Sequence, residues 1–354
     1  MLSLSDFYES IFSCKVYKLA IDAGCTCPNR DGRKGWGGCI FCSESGSGDF
    51  ASSRNLPVKE QIFEAKKRVE SKVKGRSGKR KGKYIAYFQN FTSTYGNEEV
   101  LVQKYKEALA CEDVAGLAIA TRPDCLGEKI LSKIAEISRN YFVQIELGLQ
   151  TSNESTGKVI NRCYGNDDYS DAVRRIKSAN PAIHIVTHLI FGLPGESEAD
   201  MMESVRFVVR ENLLNSSQRT QSSRRDVGLM KSVVDNNNYK ICENLCESVD
   251  KTLCGLQSSV RNFADFFGLK ITVLYVLQNT KLAQMYENGE VKPLSKEEYF
   301  AVLKKALLLL PENCVIHRLT GDPPKKTLIA PLWTSDKKRV INEISSLVSS
   351  LAES

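Results

Sequence analysis

Cys25, Cys27, Cys39 and Cys42 fall together in one stretch, Cys-Thr-Cys-Pro-Asn-Arg-Asp-Gly-Arg-Lys-Gly-Trp-Gly-Gly-Cys-Ile-Phe-Cys, residues 25–42. Thiols this dense, in a loop holding Gly32, Gly35, Gly37 and Gly38, read as ligands rather than packing. Glycines let a backbone wrap closely around a bulky object, and Pro28 stiffens the entry. Two metal chemistries suit such a set. All four thiolates could close a tetrahedral Zn²⁺ staple, or three could hold an iron–sulfur cluster and leave one iron without a protein ligand. In extended backbone Cys25 and Cys27 point the same way, so alternation leaves both options open.

The chain has 354 residues, with twelve Cys and only three His, His184, His188 and His317. The shortage of His argues against a His-rich zinc hydrolase and leaves sulfur as the metal-binding chemistry. At 42% hydrophobic and 26% charged the composition excludes wholesale disorder. No apolar run approaches the roughly 18 residues of a membrane helix. Asp6 and Glu9 stand where a secretory leader would be basic, so the expected compartment is cytoplasmic, with reduced thiols. The net charge of +7 is local: Lys66 to Lys83 holds ten Lys or Arg against Glu70. Val58, Ile62, Ala65, Val69 and Val73 place the start of that run on an amphipathic helix, and residues 75–82 read as a solvated loop.

The elements that must position the cysteines follow from periodicity. Six short apolar segments, Lys15–Ile21, Tyr84–Gln89, Gly116–Thr121, Phe142–Gln150, His184–Phe191 and Lys270–Leu277, alternate with helical stripes such as Leu126, Ile130, Ile134 and Ile137. Continuous, β-branched segments of this kind are buried parallel strands joined as βαβ units. The options are an open doubly wound sheet or an incomplete (β/α) barrel, and either places functional groups at the C-terminal ends of strands. A Ser/Asn-rich insertion is expected over residues 213–262, after a helix ending near Asn212. It carries Cys242, Cys246 and Cys254, of which Cys242 and Cys246 lie on a helical stripe with Val249 and Leu253. Further helices are expected at Phe300 to Leu310 and through Val340, Ile344, Leu347 and Leu351.

The cysteine loop resembles that of the YhcC-like radical S-adenosylmethionine (SAM) proteins, which are similar in turn to the radical SAM domain of the Elongator catalytic subunit. The resemblance continues through Tyr87-Phe88-Gln89, Thr94-Tyr95, Thr121-Arg122-Pro123-Asp124, Glu146-Leu-Gly148-Leu-Gln150 and His188-Leu-Ile-Phe-Gly192-Leu-Pro194-Gly195-Glu196. It ends with His317-Arg318-Leu-Thr-Gly321-Asp322 and Pro331-Leu-Trp333. It implies an α/β fold, a partial (β/α)6 TIM-type barrel over residues 1–295 with the insertion at 213–262, and a C-terminal helical extension over 296–354. It further implies a [4Fe–4S] cluster on Cys27, Cys39 and Cys42, with SAM on the open iron. Reductive cleavage of SAM would give a 5′-deoxyadenosyl radical that abstracts hydrogen from a substrate. Cys25, where relatives carry an apolar residue, is left outside the site.

On this reading Phe41 packs against the cofactors, and Gln89, Glu146, Gly192 and Gly195 form the SAM pocket, with Gln150, Arg122, Asp124 and Arg162 as further contacts. The buried carboxylate of Glu146 needs a partner, either a ribose diol or a salt bridge to Arg122. Arg162 would pair with the SAM carboxylate or cap a helix. A flavodoxin- or ferredoxin-type electron donor is implied, RNA is a candidate substrate, and no membrane partner is expected. Two motifs depart from the family pattern, Lys270-Ile-Thr272-Val-Leu-Tyr275 at strand six and Cys163-Tyr164 after Arg162. The rival reading is a four-cysteine, zinc-stapled nucleic-acid-binding protein without enzyme activity.

Overall fold

The computed structural model describes residues 1–46, 51–73, 82–230 and 264–352. In chain order its elements are β1 (Leu2–Ser3), α1 (Leu4–Phe12), β2 (Val16–Ile21), α2 (Val58–Val73), β3 (Lys83–Phe88), α3 (Glu98–Leu109) and β4 (Val114–Thr121). There follow α4 (Glu128–Ile137), β5 (Phe142–Gln150), α5 (Glu154–Val159), α6 (Asn166–Ala179), β6 (His184–Phe191), α7 (Glu198–Met230) and β7 (Phe267–Val273). The chain closes with β8 (Val276–Leu277), α8 (Lys281–Glu287), α9 (Lys296–Leu308), β9 (Cys314–Arg318), β10 (Leu328–Ala330) and α10 (Lys337–Ala352).

Eight strands form one sheet in the order β1-β9-β7-β6-β5-β4-β3-β2. Every neighbouring pair is parallel. The six expected strands run in chain order from β2 to β7, the arrangement of a curled half-barrel. Three strands were not foreseen: β9 pairs beside β7, β1 lies outside β9, and β10 pairs antiparallel with β8 in a separate two-stranded sheet. The C-terminal part of the chain therefore supplies a strand to the sheet as well as helices.

Successive side chains of a strand face opposite ways, and the two faces differ here. Leu19, Ile21, Ala86, Phe88, Leu117, Ile119, Ile145, Leu147, Ile185, Leu189, Leu269 and Ile271 point outward into the main core. There they meet the stripes of the surrounding helices, including Val58, Ile62 and Ala65 of α2, Ile130 and Ile134 of α4, and Val340 and Ile344 of α10. The inward face is polar or small, with Lys18, Ala20, Tyr87, Ala118, Glu146, His188 and Lys270. Helix α1 fills the end of the sheet opposite the strand C-termini. Its Phe7, Tyr8, Ile11 and Phe12 pack against Ile85, Ala118, Phe142 and Val315, and Tyr8 Oη donates to Gln144 Oε1 at 3.2 Å.

Helix α7 continues to Met230, well past Asn212, where its sequence pattern weakens. The rest of the expected insertion, with Cys242, Cys246 and Cys254, lies outside the described residues, as does the Gly-rich end of the basic run. The described start of that run is engaged with the fold: Lys66 lies 5.0 Å from the Tyr84 ring and Arg68 Nη2 donates to Ser52 Oγ at 2.6 Å. No helix among the described residues is long and apolar enough to cross a membrane.

Candidate active site

The expected site residues follow the C-terminal ends of successive strands. The cysteine loop leaves β2, Gln89 follows β3, Arg122 follows β4, Gln150 ends β5 and Gly192 follows β6. The loop winds on itself through Arg30 N to Cys27 O, Lys34 N to Pro28 O and Gly38 N to Asn29 O, at 2.8, 2.9 and 2.8 Å. Arg30 crosses this coil and donates to the carbonyls of Cys42 and Glu44 at 3.3 and 3.4 Å. Gly38, at φ +79°, lets it pass, since a Cβ there would lie 2.9 Å from Arg30 Nε.

Cys27, Cys39 and Cys42 line one cavity together with Phe41, Gln89, Arg122, Glu146 and Gln150. Cys39 and Cys42 are within hydrogen-bonding reach of one another, and Cys27 is near enough to act on Cys39 through its charge. Hydrogen bonding to Cys42, burial, and the charges of Cys42 and Cys27 all push the Cys39 thiol well above its ordinary range. Three thiolates this close need positive charge among them, which a metal cluster supplies. Arg122 brings a cation to them, with its Nη1 3.9 Å from Cys27 Sγ. The donor set and its surroundings fit a cluster held by three cysteines.

Cys25 is elsewhere. It is buried in the main core and faces a separate depression beside Thr94, Tyr95 and Cys125. Burial pushes its thiol up to about 11. The four cysteines thus do not converge as a single tetrahedral zinc site requires.

Asp124 does not line the cavity. It lies behind Arg122, which it holds by two hydrogen bonds, Nε to Oδ1 at 2.9 Å and Nη2 to Oδ2 at 2.8 Å. Lys34 of the cysteine loop reaches the same carboxylate at 2.6 Å. Burial alone would raise the Asp124 carboxyl, but Arg122 and Lys34 hold it below its usual range.

The expected role of Arg162 and the expected partner of Glu146 are corrected. Arg162 is fully buried, and its N–H groups have partners within the scaffold. Nε donates to Tyr164 O, Nη1 to Leu149 O and Thr151 O, and Nη2 to Glu154 Oε2 and Asn166 Oδ1. A guanidinium has five donors, so none remains for a cofactor carboxylate. Glu146 lines the cavity, and the salt bridge expected as one alternative for its carboxylate is made to Lys18 and Lys270 rather than to Arg122. Lys18 Nζ, at 2.8 Å, and Gln144 donate to Oε1. Tyr87 Oη, at 2.6 Å, and Lys270 Nζ donate to Oε2, with His188 Nε2 also 2.9 Å away. A carboxylate has about four lone-pair sites, so a further diol would have to displace one of these groups. Burial alone would raise this carboxyl, yet Lys18 and Lys270 hold it well below the carboxylate range.

Gly192 and Gly195 take up the left-handed turn after β6, at φ +82° and +79°, but do not line the cavity. Several residues that do were not assigned to the site from the sequence: Arg30, Tyr87, Tyr164, Lys270 and Arg318. Tyr164 sits between Arg122 and Arg162, whose Cζ atoms lie 4.6 and 5.0 Å from its ring centroid, and its Oη is 2.8 Å from the Gln150 amide. Lys18 and Lys270 carry a signal in hindsight, since each is a charged residue within an otherwise largely apolar strand.

The comparisons with known proteins agree with this geometry. The profile of the Radical SAM superfamily matches residues 27–208, over half the chain. The chain belongs to the radical SAM superfamily. The profile of the Radical_SAM C-terminal domain matches residues 267–349. The uncharacterized protein YtqA of Bacillus subtilis is 34% identical over 333 residues, which are 94% of this chain and 84% of that protein. Protein YhcC of Escherichia coli is 27% identical over 91% of this chain and 84% of its own. Among solved structures, Elp3 of Methanocaldococcus infernus superimposes with a TM-score of 0.57 at 15% identity. That likeness covers 94% of this chain and 63% of the Elp3 chain, and it shows a shared fold. Radical SAM proteins use a [4Fe–4S] cluster and SAM, which are therefore the cofactors of this family member.

Proposed function

We propose that this protein is a radical SAM enzyme whose cluster is held by Cys27, Cys39 and Cys42. The observation that carries the proposal is the convergence of these three thiols, without Cys25, on one cavity at the strand C-termini. When bound, the reduced cluster supplies the electron that cleaves SAM to methionine and a 5′-deoxyadenosyl radical. The chain's own part is to place and shield these groups. Arg122, fixed by Asp124, sets positive charge beside Cys27, while Phe41 and Gln89 offer an apolar face and an amide to SAM. A flavodoxin- or ferredoxin-type protein is the proposed electron donor, and RNA the proposed substrate. The RNA reading rests on the Elongator-like motifs and on the Lys66–Lys83 run.

Electron paramagnetic resonance of anaerobically reconstituted, dithionite-reduced protein tests the core of this reading. A [4Fe–4S]⁺ signal that shifts on adding SAM is expected. Absence of that signal, with zinc retained, would overturn it. For the substrate, 5′-deoxyadenosine formation should rise with added cellular RNA and fall after ribonuclease treatment. A rate indifferent to both would exclude RNA.

A further inference from the structure

Beyond the cysteine loop, the inner face of the sheet carries an unbalanced set of charges. His188, Lys270 and Arg318 are register partners on the adjacent strands β6, β7 and β9, so they stand side by side on one face. All three line the cavity. Two residues earlier on β5, Glu146 supplies the carboxylate, and Lys18 and Lys270 both pair with it. The group thus has three basic side chains, Lys18, Lys270 and Arg318, against one carboxylate, and burial lowers both lysines, Lys270 to about 7. His188 adds no positive charge at neutral pH, since burial and Lys270 lower it to about 4. No carboxylate lies in ion-pair contact with Arg318 among the described residues.

Arg318 lines the cavity yet is exposed, so its guanidinium stands open to an incoming group rather than buried without a counter-charge. Glu146 satisfies one lysine's worth of charge, and its lone-pair sites are filled. Arg318 offers a planar fork of donors suited to two oxygens at once, and Lys270 lies on the neighbouring strand. Resting on the radical SAM enzyme reading, we infer that Arg318 and Lys270 receive an oxyanion, a carboxylate or phosphate carried by the substrate, on the β9 side of the cavity. This fixes which end of the substrate faces β7 and β9, and leaves the rest directed toward the cysteine loop.

The test is anion binding by the full chain, with and without its cluster, read as the thermal midpoint in inorganic phosphate or acetate at ionic strength matched with chloride. Arg318→Gln is compared with Arg339→Gln, which makes the same charge change on the exposed helix α10. Wild type and R339Q should be stabilised by at least one oxyanion beyond chloride, and R318Q should bind it about tenfold more weakly. The stronger of the two anions names the chemical source. Equal effects of oxyanion and chloride, or equal losses in R318Q and R339Q, would overturn the inference. So would loss of the SAM-dependent paramagnetic shift in R318Q, which would assign Arg318 to the cofactor. Because the anion titration needs neither cluster nor SAM, its failure is separable from failure of the enzyme reading.

Discussion

Arg122 and Asp124, two residues apart in the turn after β4, meet through two parallel hydrogen bonds that leave Arg122 Nη1 pointing toward Cys27 Sγ. This fork makes the carboxylate an anchor for the cation beside the cysteines. Asp124→Asn should therefore cost roughly 3 kcal/mol, the penalty for breaking a buried pair from one side. The pH dependence has a definite sign. The folded carboxyl is held below its unfolded value, so its stabilisation is complete above about pH 4 and lost as pH falls through the folded value. Urea midpoints should fall in D124N at pH 7, with the gap to wild type narrowing at lower pH. A gap independent of pH would refute the pairing.

The cysteines should divide three to one. Cys27→Ser, Cys39→Ser and Cys42→Ser should each lose most of the reconstituted iron. Cys25→Ser, buried among Leu19, Ile21 and Ala23, should keep its iron and SAM response while losing about 1 kcal/mol of stability from the altered core contact. Iron analysis and visible absorption check both. Loss of iron in C25S alongside the others would restore a four-cysteine site.

Arg162 should behave as scaffold. Arg162→Lys removes the forked donors that hold Leu149 O, Thr151 O and Tyr164 O, and should destabilise the fold by about 2 kcal/mol or more. Iron per folded chain and the SAM-dependent signal should be unchanged. A variant with wild-type urea midpoint but weakened SAM binding would show that the guanidinium reaches the cofactor after all.

Acid should destabilise the protein well before its carboxylates titrate. Burial lowers His184 to about 3 and His188 to about 4, and puts His317 well below its usual value. The unfolded chain then binds more protons than the folded one below about pH 6.5, so stability falls as pH drops from there and is complete above it. The loss at pH 5 should be roughly 2 kcal/mol for a fully buried histidine such as His184. Urea midpoints at pH 7 and pH 5 test this: His184→Gln should lose less than wild type over that interval. Identical losses would mean that His184 does not titrate as its burial demands.

Much of the architecture was legible because its signals are local. The six strands of the half-barrel announce themselves as continuous apolar segments, and the helix stripes at Ile130 and Ile134 or Val340 and Ile344 land in the core as the period requires. Strands β1 and β9 escaped because two and five residues give too short a pattern to read. The cysteine motif, compact in sequence, located the cavity. Arg162 was misplaced, and the partners of Glu146 were missed, for the opposite reason. Their partners come from distant segments, Lys18 and Lys270 for one and the carbonyls at the end of β5 for the other, and nothing near either residue forecasts them. A buried charge in a strand says that a partner exists without saying whether it is protein or ligand.

The aromatic side chains of α1 stopper the half-barrel at the end away from the cysteines. Among the described residues, packed rings close that end of the cavity, so access from it is barred. The eight strands form an open sheet with β1 and β2 at its edges, so a substrate reaches the cysteines from the loop end or from the open side.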